Sequence, residues 1–557
     1  MAVRPKAGAP GNMTKPMMAV SSTSRQRLWV WAGLVTAGAL VYLVNVVSIG
    51  EGLAAFQLAL ASNSSNQANA SENLQLQMFP LATKPPPKQW EAAEHQVISE
   101  EEDEGEDVEM IRLPPPMQWP PEKASADECM YVRDYGLLER LDNSSRSFCK
   151  GSGANDSSSR NRSTYTFYHV PQAGLSATRL ANFVVDIRGA HVAQHIDDLA
   201  QDGGGHDPRF KYTPDSASCD CDEPQDAAHG SPPIWRDFFV GGPGGGAAIC
   251  KPAVSEAAEE LKLDRVVVLV RKDDHNPFFQ ISAILNAWAM LKVVGWEANS
   301  TQLVTLDRAL PSPVDELRHA MLGPSRPAIG GEEFQNHVVR LESALLAPYE
   351  ATGPLMSHLD DNQPCHANTL VADFRDVALK RLAITPRHVK SDPRRCLVTV
   401  ISRRPYGGRR VQRIWQNEAE VLRLMREEYK DAYRFGECEF QALEFVDMSI
   451  RDQMRVMLDS DVVIGMHGAG MVNVMWTRPE TLVVEIFPRR RWRWGYRNLC
   501  QYLGCKWFDF RKGRDVRVHT SDPNDMDKHI PYKQWKSFFD PLFRDVIDRL
   551  EAQVEVS

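Results

Sequence analysis

A glycine-rich turn near the C-terminal end of the chain contains the residues best suited to bind an anion. Residues 461–466 (DVVIGM) are typical of a buried strand, and an apolar helix is predicted to begin near Met471. Small residues let a ligand approach the backbone, and the free amides at the start of a helix favour phosphate. Ligands of open α/β sheets also bind at the carboxyl ends of parallel strands. The predicted phosphate turn consists of His467, Gly468, Ala469 and Gly470. Glycine-rich turns between strand and helix also occur where no ligand binds.

Other motifs that carry known chemistry are missing or weak. The turn is not a GxGxxG dinucleotide loop, and the chain has neither a GxxxxGK[ST] phosphate loop nor a GxSxG nucleophile elbow. Asp459 and Asp461 have the DxD spacing of metal-dependent sugar transferases, but their position at a helix-to-strand junction favours a cap or a surface pair. The cysteines show no zinc spacing. We therefore expect no metal site.

Alternating strand and helix patterns must position this turn. Residues 396–402 and 481–487 are apolar runs typical of strands buried on both faces, and residues 417–429 have the composition of a helix. The same alternation begins earlier, with a strand at residues 265–270 and a helix at residues 278–291. Repeated strand–helix units predict parallel sheets covered by helices. We expect two such halves with a cleft between them.

The composition excludes several classes of protein. The chain has 557 residues, of which 43% are hydrophobic and 25% are charged, as in ordinary globular proteins. A small disulfide scaffold, a fibre and a wholly disordered chain are excluded. The formal net charge is −9, and the basic excess that a nucleic-acid binder needs is missing. We therefore expect no nucleic-acid partner.

The N-terminal region predicts attachment to a membrane. Residues 28–49 carry no charge and are long enough to span a bilayer, which takes about 20 residues. A cleaved signal peptide is the alternative, but its apolar core is usually only about 7–15 residues long. Five basic residues and no acidic residue precede the run. The positive-inside rule then places residues 1–27 in the cytosol and the rest of the chain in a lumen or outside the cell.

Cysteines and glycosylation sequons agree with this orientation, since all of them follow the predicted anchor. The ten cysteines are expected to form disulfides, with a few remaining as buried thiols, in an oxidising compartment. The sequons begin at Asn63, Asn69, Asn143, Asn155, Asn161 and Asn299. Residues 50–126 are rich in Ser, Asn, Gln, Pro and Glu, which indicates a disordered stem. Between residues 129 and 250 the signals are mixed, and residues 164–170 and 183–187 are predicted as strands.

Three blocks of sequence together resemble glycosyltransferase family 61, which includes plant β-1,2-xylosyltransferases and animal protein O-linked N-acetylglucosaminyltransferases. Residues 272–280 resemble the loop and helix start of the family's first half, and residues 401–421 resemble its Arg-rich loop with an Asn-Glu helix. Residues 452–476, together with residues 481–488, resemble the family signature in both spacing and flanks. The third block is the most specific of the three.

The resemblance implies a GT-B-like α/β fold, with two Rossmann-like halves separated by a cleft and preceded by a transmembrane anchor and stem. It also implies an inverting reaction with a UDP-sugar donor, no cofactor and no required metal. The expected domains are a cytosolic tail at 1–27, the anchor at 28–49, the stem at 50–126, an acceptor-side half at 127–390 and a nucleotide-sugar-binding half at 391–557.

The resemblance also suggests roles for charged residues of the second half. Arg403 and Arg404 follow a strand and can clamp a diphosphate through paired hydrogen bonds, unless they are solvated loop charges. Glu485 lies in a strand that is predicted to be buried, so it needs a partner, either a ribose hydroxyl pair or a structural salt bridge. Residues 489–494 combine arginines with two tryptophans, on which a sugar can stack unless they form a surface patch.

A catalytic base is expected in the first half. The candidates are Asp273, Asp274 and His275, with Asp273 or His275 preferred. Many family members resemble N-x-F-H immediately afterwards, whereas this chain reads Asn-Pro-Phe-Phe at residues 276–279. The departure is consistent with a different base, a different acceptor or a lost activity.

The sequence thus predicts a single-pass type II membrane protein of the Golgi or the endoplasmic reticulum, with its head in the lumen. Its predicted function is transfer of a sugar from a UDP-sugar to a glycan or glycoprotein acceptor. Xylose is favoured because the loop at residues 407–409 most resembles the plant enzyme, and N-acetylglucosamine and arabinose remain open. The alternative is a membrane-anchored, non-catalytic glycan-binding module that keeps the fold.

Overall fold

The computed structural model describes most of the chain beyond the predicted stem. The described residues are 122–148, 162–186, 188, 191–192, 210–211, 216–220, 250–252, 260–271, 276–307, 309, 311–334, 337–356, 365–384, 390, 392–406, 411–518 and 522–556. All of them lie in one compact unit, Glu106–Ser557. The predicted anchor at residues 28–49 lies outside the described residues. Among the described residues, no helix has the length and apolar character needed to span a membrane.

The first half is built on a mixed ten-stranded sheet. The strands up to residue 346 are β1 Arg146–Phe148, β2 Thr164–Val170, β3 Leu175–Asp186, β4 His191–Val192, β5 Phe210–Lys211, β6 Ala217–Cys219, β7 Lys251–Pro252, β8 Glu260–Leu263, β9 Val266–Leu269, β10 Gln302–Thr305, β11 Ile329–Gly330 and β12 Val338–Leu346. The main order is β1-β2-β3-β12-β9-β10-β11, and β4 pairs with β5 in a separate small sheet. β12 is antiparallel to β3 but parallel to β9, which is parallel to β10. This sheet is therefore parallel only in part.

The helices of the first half cover this sheet. They are α1 Ala126–Glu128, α2 Tyr135–Asn143, α3 Pro277–Val293, α4 Asp315–Leu322, α5 Gly331–Phe334 and α6 Thr369–Arg381. α3 is apolar around its whole circumference, and nearly all of it is buried. The Asn276 side chain caps its start by accepting the Phe278 and Phe279 amides at 3.1 and 3.4 Å, with Pro277 as the first helical residue. Sequence-local signals thus fix where α3 begins.

The second half is a parallel five-stranded sheet with the order β14-β13-β15-β16-β17. Its strands are β13 Cys396–Ile401, β14 Cys438–Leu443, β15 Val462–Met466, β16 Leu482–Ile486 and β17 Lys506–Phe510, and β18 Arg514–Val516 pairs with β19 Asp527–His529 beside them. The helices are α7 Glu418–Tyr429, α8 Ile450–Asp459, α9 Gly495–Leu503 and α10 Tyr532–Val556. The predicted α/β class is confirmed, with a fully parallel second sheet and a first sheet that is parallel only in part.

This strand order has one topological switch point, between β13 and β15. The chain moves outward from β13 to β14 and then returns to the other side of β13 to form β15. Open α/β sheets bind ligands in the crevice that forms at such a point, beyond the carboxyl ends of the strands. Ser402 follows β13 there and His467 follows β15. The fold therefore places the predicted phosphate turn at the expected edge of the sheet.

The two halves share one hydrophobic core. A single cluster of buried side chains includes Ile281 and Trp288 of α3 together with Val472 and Trp476 of the second half. A second cluster lies in the first sheet, and a third packs β13 to β17 against α7 and α10. Burial of apolar side chains from both halves in one cluster stabilises the contact between them.

Disulfides join several of these elements. Every cysteine among the described residues is paired, so the predicted disulfides are confirmed there and none of these cysteines is one of the expected buried thiols. The pairs are Cys129–Cys365, Cys219–Cys250, Cys396–Cys438 and Cys500–Cys505. The sequons at Asn143 and Asn299 lie on exposed positions, while the other four asparagines lie outside the described residues.

Candidate functional site

The predicted phosphate turn leaves β15 and becomes a 3₁₀ segment. The His467 amide donates to the Ile486 carbonyl at 2.8 Å, which ties the turn to β16. The apolar helix that was predicted to begin near Met471 is present, but it is the 3₁₀ segment Ala469–Trp476 and it begins two residues earlier. The Met471 amide reaches back three residues to Gly468, and the Asn473 side chain donates to the Gly470 carbonyl at 3.1 Å. These contacts tighten the backbone, as in other short 3₁₀ pieces.

Arg403 packs directly against the turn. A Cβ atom added to Gly468 would lie 1.9 Å from Nη1 of Arg403, so only glycine accommodates the guanidinium there. Nε and Nη2 of Arg403 donate to the Gln412 carbonyl at 3.3 and 3.2 Å. The switch point therefore brings together Arg403 and the turn, two candidates that the sequence proposed separately.

A buried chain of hydrogen bonds lies behind the turn. Nδ1 of His467 is 2.5 Å from Oε1 of Glu485, and Nε1 of Trp507 donates to Oε2 of Glu485 at 2.8 Å. Glu485 is 1% exposed, and both its oxygens have protein partners. Because the carboxyl group is buried, it is not exposed to ribose hydroxyls in this structure. The structure gives Glu485 protein partners, as the alternative of a structural salt bridge expected, but the contact with His467 joins two groups that burial keeps neutral.

Burial controls the protonation of this pair. Loss of solvent raises the pKa of Glu485 to about 8, against the smaller opposing effect of the Trp507 hydrogen bond. Burial also lowers the pKa of His467 well below its usual value, and the positive charges of Arg491 and Arg413 add to this effect. At neutral pH, Glu485 is therefore largely protonated and His467 is neutral.

A group of arginines surrounds His467. Arg413 donates from Nε to the His467 carbonyl at 2.9 Å, and it also pairs with Asp525. Arg491 pairs with the same Asp525 carboxylate at 2.9 Å. Arg413 has a φ of 60°, which side chains other than glycine seldom adopt. The site holds this residue in a strained backbone conformation that brings its guanidinium to the turn.

Arg404 is directed elsewhere. Nη2 of Arg404 donates to Oε1 of Glu418 at 2.8 Å, and Ser402 donates to the same oxygen at 2.5 Å. Glu418 is buried at the start of α7, where a carboxylate is favourable. Arg404 therefore has a structural partner, whereas Arg403 lies against the turn.

The arginines and tryptophans after β16 form a layered cluster. Arg511 lies over both Phe487 and Trp492, 4.6 Å from each ring centroid, and Arg497 lies 3.9 Å from the Trp494 centroid. These contacts are cation–π stacks. Because arginines cover these tryptophan faces, sugar stacking is confined to the faces that remain.

The first half approaches the site through an aromatic contact. Phe278, in the first turn of α3, packs edge-on against Tyr496 with ring centroids 5.7 Å apart. Tyr496 lies 5.9 Å from the His467 ring, which stacks on Phe487 at 4.8 Å. The start of α3 is therefore near the turn.

The three candidate bases, Asp273, Asp274 and His275, lie outside the described residues. They immediately precede Asn276, the cap of α3, and their role stays a prediction.

The DxD spacing has a structural explanation. Asp461 is buried and binds Lys390 at 2.5 Å, Arg478 at 2.7 Å and the Leu397 amide at 2.8 Å. Its position is therefore interior rather than on the surface. In the described part of the chain, no group of three or more His, Cys, Asp or Glu side chains is placed to hold a metal ion.

Several residues of the site were not predicted from the sequence. Arg413 lies in the Arg-rich block that carried the family resemblance, so its charge was a usable signal. Trp507 and Asp525 gave no sequence signal, because only the placement of β17 and of the segment before β19 brings them near the turn. Tyr496 lies in the first turn of α9 and gave no local signal either.

Residues 314–484 match the protein family described as Glycosyltransferase 61. The matched stretch is shorter than half of the chain and includes Arg403, Arg413 and His467. No curated protein matches the chain at a significant level.

Two solved structures with weak similarity are bacterial glycosyltransferases. E. coli heptosyltransferase WaaC with ADP is 11% identical with a TM-score of 0.21, and the match covers 51% of this chain and 99% of that one. The iron-containing dodecameric glycosyltransferase TibC from enterotoxigenic E. coli is 12% identical with a TM-score of 0.22, covering 56% and 81%. With TM-scores this low, neither structure assigns a fold, a residue or a substrate to this chain. The family match is independent of them: residues 314–484 match glycosyltransferase family 61, the family that the sequence motifs resembled, and this match supports a glycosyltransferase.

Proposed function

We propose that this protein is an inverting glycosyltransferase of GT-B architecture that uses a UDP-sugar donor. The observation that carries the proposal is the convergence of Arg403, Arg413 and Arg491 on the His467 turn at the switch point of the second sheet. A diphosphate carries several negative charges, and guanidinium groups bind phosphate oxygens through charge-assisted hydrogen bonds. The turn and its arginines are suited to hold that group.

The same groups can lower the barrier to transfer. Inversion requires a base to take the proton of the acceptor hydroxyl while the sugar–phosphate bond breaks. Negative charge then develops on the departing diphosphate, and fixed cations at that position stabilise it. We propose that the arginines supply this stabilisation without a metal ion, and that Asp273, Asp274 or His275 supplies the base.

The donor, the acceptor and the compartment are parts of the proposal. UDP-xylose and an N-glycan acceptor are favoured by the resemblance of residues 407–409, which lie outside the described residues, and N-acetylglucosamine and arabinose are the alternatives. Attachment to the Golgi or endoplasmic reticulum membrane through residues 28–49 would place the head in the lumen. The four disulfides and the exposed sequons at Asn143 and Asn299 support an oxidising, glycosylating compartment.

The test measures UDP release by the full-length chain in detergent. A panel of UDP-sugars is supplied with and without an N-glycan acceptor and a chelator. We expect release with one donor, stimulated by the acceptor, resistant to the chelator and abolished in His467→Ala. The matched control is His169→Ala, since His169 is exposed on β2 and bonds Ser176 at 2.8 Å.

Two outcomes would contradict the proposal. If UDP-sugars bind but no transfer occurs with any acceptor, the non-catalytic glycan-binding module is favoured. Failure of every UDP-sugar to bind would show that the His467 turn is not a diphosphate site.

A further inference from the structure

We propose that Glu485 is a positioning residue that keeps a proton on the carboxyl oxygen facing His467, so that His467 presents its Nε2–H to the donor diphosphate. His467 would then act as a hydrogen-bond donor to phosphate and not as a base. This inference rests on the proposed function, since it concerns the same diphosphate site.

The hydrogen-bond geometry sets the position of the proton. The indole N–H of Trp507 can only donate, so Oε2 of Glu485 must accept from it. A proton on the carboxyl group therefore resides on Oε1, which lies 2.5 Å from Nδ1 of His467. Nδ1 accepts that proton's hydrogen bond, and the neutral ring carries its own hydrogen on Nε2. Trp507 thereby selects the tautomer of His467 through Glu485.

Burial and charge favour this arrangement. The side chains of His467 and Glu485 are 9% and 1% exposed, so the neutral forms of both groups are favoured. Arg403, Arg413, Arg491 and Arg493 face His467, which opposes a positively charged ring. Arg511, Asp509 and Arg491 face Glu485, and Tyr496 adjoins the pair. Burial raises the pKa of Glu485 despite the nearby arginines.

The edge of the ring that is not bonded to Glu485 is the functional one. Within the described residues, Nε2 of His467 has no hydrogen-bond partner, while stacking on Phe487 at 4.8 Å and 20° fixes the plane of the ring. A lone pair on Nε2 would repel phosphate oxygens, whereas an N–H attracts them. The pair therefore adds a fixed neutral donor to the guanidinium donors of the turn.

The experiment measures the affinity of the full-length chain for UDP by calorimetry from pH 7 to 9. UDP is already about nine-tenths ionised at pH 7 and gains little further charge up to pH 9, since phosphate esters lose their last proton at about pH 6. The wild-type affinity should fall about tenfold as Glu485 ionises, because one hydrogen bond to a charged group is lost. In Glu485→Gln the Trp507 N–H donates to the amide oxygen, which takes the place of Oε2. The amide NH₂ then faces Nδ1 of His467 and donates to it at every pH. The fall in UDP affinity should therefore disappear in this variant.

A second variant keeps the test decisive if Glu485→Gln does not fold. The Trp507 hydrogen bond lowers the pKa of Glu485, so Trp507→Phe should move the midpoint of the fall to higher pH. The pKa of Lys528 is lowered by burial to about 8, so this group also titrates in the range. A fall in UDP affinity from pH 7 to 9 that persists unchanged in Glu485→Gln is assigned to Lys528.

The outcomes separate this inference from the proposed function. Absence of UDP binding by the wild type at every pH would refute the proposed function and the inference with it. Binding with the same pH profile in the wild type and in Glu485→Gln would refute the inference alone. An affinity that rises with pH in the wild type would also refute it, because His467 would then bind best with a free lone pair.

Discussion

At the scale of single residues, the site depends on a close approach between a side chain and a glycine. Gly468 has an extended backbone with a φ of 166°, so the backbone does not require glycine there. The restriction comes from Arg403, whose Nη1 and Cζ would lie 1.9 and 2.6 Å from an added Cβ. A flexible arginine can move away at little cost to folding, but the guanidinium then leaves the turn.

Gly468→Ala should therefore lower the affinity for UDP by about tenfold, the effect of losing one charge-assisted hydrogen bond, while the protein still folds. Calorimetry with UDP measures this loss. Gly470→Ala is the comparison, because its Cβ would meet only the Ile401 methyl at 3.5 Å and would leave Arg403 in place. If both variants lose the same affinity, the displacement of Arg403 is not the cause.

Residue types were predictable from the sequence where the signal was local. The turn was found because glycine and histidine directly follow a buried run. The partners of Glu485 were not found, since His467 and Trp507 lie 18 and 22 positions away on neighbouring strands. Only the register of β15, β16 and β17 brings these side chains together.

At the scale of elements, the buried parallel strands were predicted to within a residue or two. Residues 461–466 became β15 Val462–Met466, because a strand covered on both faces is a continuous β-branched run. Residues 183–187 proved to be only the end of β3 Leu175–Asp186, whose earlier residues mix polar and apolar types. The predicted helix after His467 is a 3₁₀ segment, a distinction that apolar composition alone does not make.

Of the two disulfides within the second half, the one that closes the longer loop should stabilise it more. Cys396 and Cys438 are register partners on β13 and β14 and close 42 residues, whereas Cys500 and Cys505 close 5. The entropy of loop closure predicts that the double variant Cys396→Ala, Cys438→Ala loses about 4 kcal/mol of unfolding free energy. Removal of the Cys500–Cys505 disulfide should cost about 2 kcal/mol. Urea unfolding measures both losses.

The first of these double variants should bind UDP with unchanged affinity. Cys396 lies at the amino end of β13, and the site lies beyond the carboxyl end, after Ile401. A loss of affinity in the folded double variant would show that the edge of the sheet is coupled to the turn.

At the scale of the whole molecule, packing between the halves brings the first half to the site. The shared core and the Phe278–Tyr496 contact hold the start of α3 near His467. The sequence indicated two α/β halves, but it did not show that the first sheet is largely antiparallel at one side, where β3 joins β12. Pairing between strands that are far apart in sequence has no local signal.

The stability of the molecule should carry the signature of the buried Glu485. In the unfolded chain this carboxyl ionises near its ordinary pKa of 4.5, while in the fold it stays protonated up to about pH 8. The folded state therefore binds one more proton between these values, and stability falls as pH rises through this window. From pH 7 to 8, the wild type should lose about 1 kcal/mol of unfolding free energy relative to Glu485→Gln.

Urea unfolding of both variants at the two pH values, followed by tryptophan fluorescence, measures this difference. The lowered pKa of Lys528 has the opposite effect, because the unfolded chain keeps that proton up to its ordinary pKa of 10.5. The unfolding free energy that Lys528 adds as the pH rises is the same in the wild type and in Glu485→Gln, so it cancels when the two are compared. His467 is neutral in the fold and largely neutral in the unfolded chain above pH 7, so it contributes little. Equal pH dependence in the two variants would mean that Glu485 is already ionised in the fold at pH 7, and that His467 donates from Nδ1 and offers phosphate only a lone pair.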